Sequence, residues 1–428
     1  MRPTRRRLIR SLAGVAALGG IASLAGCSSS CPDRGRPTPT TTVSIRDDPT
    51  GGFGSTPAAD WLGPHGNAAN SGYSDRSLPP EGLSVRWRTE LDLPATDSGG
   101  LSASAPTVAR GGVVVADERR VHSLSLQKGE TRWRSDAIRP TRLDSLERYR
   151  ANTVAPALGP DGDVFVGTGD GLVALDGSDG ATRWRVDALK EVARPAVVEG
   201  TVYAQDADTV VAVAMDGTET WRRSVGRRGT PSPPAVGANR VVAWTDAGLV
   251  GVDRVSGDVV WERELSVESQ VVVDDGTCFV GNYEGLHALD CRTGEDRWTF
   301  SRDDYRALLT PVVTAETIYV VEQPGEAGAA TFALDRGDGR PSPRWCSDIG
   351  SGAVTGATDE YVLTALPLGD GPDEAHSIVA FTTDFGEAPW AIRGGGDPAS
   401  WVTSPAIVDG AVVLATRGGT VVAIGGER

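Results

Sequence analysis

The sequence predicts an all-β fold: an eight-bladed β-propeller of four-stranded blades, its ring closed by an N-terminal strand that completes the C-terminal blade. Three observations predict it. Residues 162–184 read GDVFVGTGDGLVALDGSDGATRW, and residues 276–298 read GTCFVGNYEGLHALDCRTGEDRW with the same 22-residue step from Gly to Trp. Residues 239–261, NRVVAWTDAGLVGVDRVSGDVVW, keep that step. Self-similarity at a fixed period marks stacked copies of one supersecondary unit. Composition agrees: 54 Gly and few aromatics apart from 11 Trp suit short strands and tight turns. The third observation is how the incomplete pieces at the two ends fit together.

Each unit reads as a Ser/Thr-Pro-Ala-Val-like strand, a Val or aromatic strand after a Gly turn, an Ala-Leu-Asp-like strand and a Trp-bearing strand. Seven complete units begin near Ser104, Val154, Ala193, Pro231, Glu268, Leu309 and Ser351. They close at Trp133, Trp184, Trp221, Trp261, Trp298, Trp345 and Trp390. Residues 403–424 then supply three strands (TSPAIV, AVVLAT, TVVAI) and stop before any Trp strand. Residues 83–91, LSVRWRTEL, supply a Trp strand alone, around Trp87. Three strands and one strand make an eighth blade and leave no long open edge. Residues 61–428 number 368, or 46 per blade, within the ~40–50 of four-stranded propeller repeats.

The eight tryptophans are expected to anchor neighbouring blades. An indole burying ~200 Å² at ~25 cal/mol/Å² contributes at most ~5 kcal/mol. Asp176, Asp290 and Asp335 each start a tight turn towards a Gly. There the carboxylate caps backbone N–H groups while Gly takes positive φ.

Residues 1–27 read as an address. Thr4-Arg5-Arg6-Arg7-Leu8-Ile9-Arg10 resembles a twin-arginine export signal, with Arg5 and Arg6 as its signal pair. The apolar run 12–24 is shorter than the ~20 residues of a spanning helix. Leu24-Ala25-Gly26-Cys27 matches a lipobox, which implies cleavage before Cys27 and a lipid on its sulfur. The alternative is an uncleaved anchor helix, and both place the bulk of the chain outside the cytoplasm. Residues 28–60, rich in Ser, Thr, Pro and Gly, read as a disordered linker. Residues 61–428 are the propeller.

The formal charge is −15, and Lys128 and Lys190 are the only lysines among 42 basic residues. That balance argues against a nucleic-acid partner and resembles in composition the proteins of extreme halophiles, although a GC-rich genome alone also favours Arg over Lys. The five cysteines (27, 31, 278, 291 and 346) form no CxxC, and the four histidines are scattered, so no metal site is expected.

The pattern G-x-V/C-Y/F-V-G-x-x-x-G-x-x-A-L-D-x-x-x-G-x-x-x-W resembles the pyrroloquinoline-quinone-type propeller repeat, over most of residues 61–428. The lead-in DWLGPHGNAANSGYS, residues 60–74, also looks like the segment before the first strand of such proteins. Within that superfamily a lipid-anchored propeller without a further domain is similar to the BamB lipoproteins, scaffolds of outer-membrane barrel assembly. The superfamily also holds quinoprotein dehydrogenases. Membership there implies a quinone in the central funnel, a calcium ion, a catalytic Asp and a disulfide between adjacent cysteines. No two cysteines here are adjacent, and no Glu, Asn and Asp ligand set is found at motif level. No cofactor and no catalytic residue are therefore expected.

Strand parity places the second-to-third-strand loops and the blade-to-blade loops on one face. The enlarged loops 137–152, 322–331 and 366–377 fall there; the other face keeps short Asp/Gly turns, apart from the proline-rich turn 336–343. Arg139, Arg142, Arg148, Arg150, Arg227, Arg228, Arg302 and Arg306 recur in the blade-to-blade loops. They form a candidate binding face for an anionic peptide or ligand. Asp144, Glu147, Asp303 and Asp304 interleave with them, which is also the pattern of a mixed solvated surface.

Pairing Gly281 with Leu286 sets Cys278 opposite Leu289, and Cys291 two residues on lies on the same face at a diagonal of about 7 Å. A disulfide and two buried thiols are both compatible with that distance. Cys346, after Trp345, reads as a buried core thiol.

The reading that follows is a non-catalytic extracytoplasmic lipoprotein: a monomeric propeller on the outer face of the cytoplasmic membrane, presenting a face to protein partners as a scaffold or assembly factor. Two alternatives are a quinoprotein-type oxidoreductase using the funnel, and a small-ligand or carbohydrate binder using Tyr149, Tyr283 and Tyr305.

Overall fold

A computed structural model describes residues 37–63, 65–93, 103–141, 155–226, 232–301, 306–322, 330–336, 343–348, 353–368, 375–384, 386–395, 400 and 402–426. Its sheets are eight, each built on four antiparallel strands. Blades 1 to 7 span residues 107–134, 157–187, 196–224, 235–264, 272–301, 312–348 and 353–393. Blade 8 combines residues 406–425 with Ser84–Glu90, which pairs antiparallel with Thr420–Gly425. The ring therefore closes through an N-terminal strand, and from blade 8 through blade 1 to blade 7 each inner strand packs against the next around one axis.

Blade 2 shows how the sequence makes a blade. Its two middle strands, Val164–Thr168 and Gly171–Leu175, are buried along their whole length. Both faces of each sheet pack on neighbouring sheets, so Val, Leu, Ala and Phe run without polar alternation. The outer strand Thr182–Asp187 is largely exposed. Its register slips as Ala174 pairs with Trp184 and Leu175 with Thr182, leaving Arg183 as the extra residue. The same slip leaves out Arg297 in blade 5 and Arg344 in blade 6. A bulge bends the strand and re-aims a side chain. Here the bulged arginine turns to the turn aspartate: Arg183 to Asp176 at 2.8 Å, Arg297 to Asp290 at 3.0 Å and Arg344 to Asp335 at 3.5 Å.

Three expectations are corrected. The described part of residues 28–60 is not a free linker. Thr41–Ser44 adds to blade 7 as a fifth strand, parallel to Trp390–Arg393. Val43, Ile45 and Phe53 are buried at 5%, 4% and 5% exposure. These isolated apolar side chains dock a stretch whose overall composition is polar. The expected loop 366–377 begins as strand: Leu366 pairs with Ser377 and Leu368 with Ala375, so the blade 7 hairpin extends beyond the others. Cys346 is not a buried thiol but a half-buried, disulfide-bonded cysteine. It lies on the blade's outer strand, where one side of the sheet meets solvent.

Candidate functional site

Two places on this scaffold can carry function, the ring axis and the loop face. The axis is occupied by the chain itself. Residues 58–77 cross it and bond to the inner edge of the ring. Asp60–Trp61 pairs with Thr107–Ala109 of blade 1. Backbone N–H groups of Leu158, Val236, Val273, Val313, Ala357 and Asp409 donate to the carbonyls of Leu62, Ala68, Ala69, Ser71, Gly72 and Ala58. Those donors belong to blades 2, 4, 5, 6, 7 and 8. Blade 3 is reached through Arg194, whose Nη2 donates to Asn70 Oδ1.

The reason is general. An inner strand is a sheet edge with unpaired backbone groups, and buried N–H and C=O groups need partners. The sequence GNAANSG meets that need in a narrow space. Gly72 takes φ 71°, and a Cβ there would sit 2.8 Å from Val312. Asn67 holds the loop together, its Oδ1 accepting from the N–H groups of Ala69 and Ser71. Asn70 adopts φ 62°, and its Nδ2 donates to Val271 at 3.0 Å. The bonded residues lie mostly at the far ends of the inner strands, so the plug sits on the side away from the blade-to-blade loops.

The axis is electrostatically unusual. Arg194 is 2% exposed, and burial lowers its pKa to about 10. His65, also in the plug, is lowered to about 4 by burial and by the Arg194 charge. Sequence reasoning passed over both residues. The signal available was Arg194 itself, a charge immediately before the Pro-Ala-Val run of an otherwise apolar inner strand.

On the loop face, polar residues at the ends of second strands cap the turns. Asp117 accepts from the N–H groups of Arg119 and Arg120, Asp206 from those of Asp208 and Thr209, and Asn282 from those of Glu284 and Gly285. Asp117 also meets His122 at 2.7 Å, with both side chains buried. That pair is enclosed in the blade and serves the turn. Of the eight arginines proposed for this face, Arg139 and Arg306 are described. Arg139 is exposed, with φ 51°. Arg306 lies 3.5 Å from the buried carboxylate of Glu322, so it is already paired. Arg142, Arg148, Arg150, Arg227, Arg228 and Arg302 lie outside the described residues, as do Cys27, Arg5, Arg6, Tyr149 and Tyr305. Tyr283 is 42% exposed.

The tryptophans link the blades. Among the described residues, seven of these indoles donate Nε1–H to a backbone carbonyl beyond their own blade. Trp87 reaches Leu126, Trp133 Gly177, Trp184 Met215, Trp221 Arg254, Trp261 Cys291, Trp345 Thr383 and Trp390 Pro79, at 2.7–3.1 Å. Trp298 packs on Phe279 of its own blade at 5.9 Å between centroids, as Trp184 packs on Phe165 and Trp221 on Tyr203. Cys278 and Cys291 are joined, with Cα atoms 5.3 Å apart. The separation is shorter than the expected diagonal because the chain past Asp290 curls back, Cys291 N–H donating to Gly276.

The adjacent-cysteine disulfide and the metal-ligand set that membership among the quinoprotein dehydrogenases would imply are not found among the described residues. The plug fills part of the axis, on the side away from the blade-to-blade loops, and the disulfide joins residues 13 apart at the end of a blade. Among the described residues no group of three His, Cys, Asp or Glu side chains is placed to hold a metal ion.

Comparison with known proteins agrees with the architecture. The family model described as outer membrane protein assembly factor BamB matches residues 80–171 and 151–345. The BamB of Moranella endobia (strain PCIT) is 24% identical over 283 residues, 59% of this chain and 68% of that protein. The crystal structure of BamB from Moraxella catarrhalis superposes with a TM-score of 0.53 at 16% identity, covering 79% of this chain and 97% of that one. The quinohemoprotein alcohol dehydrogenase ADHIIG of Pseudomonas putida HK5 superposes with a TM-score of 0.57 at 15% identity, covering 86% of this chain and 80% of that one. At such identities the structural matches establish the fold alone.

Proposed function

Because the chain belongs to the family of the outer membrane protein assembly factor BamB, we propose that it is a non-catalytic propeller that scaffolds protein partners at the cell surface. We place it outside the cytoplasm, tethered through a lipid on Cys27 to the outer face of the cytoplasmic membrane. The observation that carries the reading is the plug. A propeller enzyme works in its axial funnel, and here residues 58–77 fill part of that axis and bond to the ring. The elaborated surface that remains is the loop face, with its arginine-bearing connections and the extended blade 7 hairpin.

Affinity capture of the full chain from its own membranes, in high salt, tests the scaffold. Specific protein partners are expected, and their binding, measured at low salt, is expected to be salt-sensitive and weakened several-fold by Arg227→Ser together with Arg228→Ser. A quinone absorbance in protein purified from its host, or low-salt binding unchanged by the double substitution, would overturn the proposed role or face respectively. Cys27→Ala is expected to release the protein from the membrane fraction; retention would remove the lipid tether from the proposal.

A further inference from the structure

Arg194 presents a charge that its surroundings do not neutralise. The side chain is among the largest fully buried in the molecule. Its guanidinium makes one hydrogen bond, from Nη2 to Asn70 Oδ1, and Nε has no partner. Among the described residues no carboxylate forms an ion pair with it. Asn70 is a neutral amide already engaged at both ends, to Arg194 and to the Val271 carbonyl. His65 cannot serve as counter-charge, because an imidazole carries either no charge or a positive one. Withdrawing an ion from water is costly unless an opposite charge or several hydrogen bonds replace the lost hydration.

We propose that the ring axis holds a small monovalent anion against the free edge of the Arg194 guanidinium. The shape of the plug supports a small occupant. Gly63 lies so close that a Cβ there would stand 2.8 Å from Nη1 and 3.5 Å from Cζ. The plug backbone thus covers the Nη1 side of the guanidinium, and the buried Nε edge is the donor left without a partner. A halide or a carboxylate of few atoms satisfies that donor and neutralises the charge. Such an ion would be a structural part of the hub, joining blade 3 to a plug that otherwise bonds to the remaining seven blades. This inference is independent of the scaffold role.

Thermal unfolding of the purified full chain tests it. Sodium chloride and sodium formate are titrated separately at constant ionic strength, balanced with sodium gluconate, whose anion is too bulky for the site. Ligand that binds only the folded state raises Tm with concentration and then follows RT ln(1 + [L]/Kd). A Tm rise of several degrees is expected in at least one series. Chloride alone acting identifies a halide site, formate alone a carboxylate site, and both a general small-anion site. Arg194→Gln is expected to abolish the rise. Asn70→Asp supplies a carboxylate from the plug itself; it is expected to raise Tm in gluconate and to remove the anion dependence. A flat response of the unmodified protein overturns the proposal. So does an undiminished response in Asn70→Asp, which decides the matter even if Arg194→Gln does not fold.

Discussion

The glycine of the turn towards the Trp strand has two duties at the scale of single residues, and only one is visible in its own blade. Gly294 takes φ 75°, as a residue leaving an Asp turn must, and it is also the seat of the preceding blade's indole. A Cβ at Gly294 would lie 2.7 Å from Trp261, and at Gly180 2.5 Å from Trp133. Gly276 separates the two duties: its φ is 67°, but the nearest atom to an added Cβ is Arg297 Nη2 at 3.9 Å. Gly276→Ala is therefore expected to cost only the left-handed backbone term, about 1 kcal/mol. Gly294→Ala is expected to cost roughly 2–4 kcal/mol, because overpacking the indole adds to it. Urea unfolding of the two variants checks the difference; equal losses would leave the indole seat without energetic weight. The turn, the capping Asp and the anchor Trp were legible in the sequence because all three recur within each 22-residue step. The arginine bulge was not, since it shows only in the register of two strands.

At the scale of elements, the plug makes its own contribution to pH dependence. His65 titrates at 6.5 when exposed and at about 4 in the folded protein, chiefly through burial and then through Arg194. The unfolded chain binds the proton first, so the plug's stabilisation is complete above pH 6.5 and declines as pH falls towards 4. Asp176 acts in a lower window. The Ser178 hydroxyl, the Ser178 N–H and Arg183 lower its pKa from 3.8 to about 2, so its share is lost as pH falls through that interval. His65→Gln is expected to flatten the upper limb and leave the lower one, as read from denaturation midpoints between pH 7 and pH 3. An unchanged upper limb would exclude His65 as its source. None of this element could be read from residues 60–74 alone. Small polar residues look like loop, and the groups that order them are far away, 201 residues for Val271 and 124 for Arg194. The strand Thr41–Ser44 was hidden in a similar way. Val43 and Ile45 gain their meaning only from the edge of Trp390–Arg393.

Across the whole molecule, the ring is held shut at one seam, where Ser84–Glu90 joins blade 8. Trp87, 3% exposed, crosses from that strand to the Leu126 carbonyl and rests on Gly129 of blade 1. Trp87→Ala is expected to cost about 3–5 kcal/mol in chemical denaturation, as for other buried large-to-small changes. Trp184→Ala, at a half-buried indole between blades 2 and 3, is expected to cost less. The reverse order would mean that the seam is no more critical than any other blade boundary. Eight copies of one unit made this architecture legible, since the end pieces fit in only one way. The candidate face was less legible because connections differ from blade to blade and follow no period.

The plug also bears on the order in which the molecule can assemble. Each blade is a meander of neighbours, so most of its pairings close short segments of chain at small entropic expense. Residues 58–77 are different, because their partners are spread from Val108 to Gly410. Their bonding surface exists only once the inner strands have gathered into a circle. The plug is therefore synthesised before the blades that hold it and is among the last parts to reach its place. Until it does, the inner edges of the ring remain open to any other strand that can pair with them.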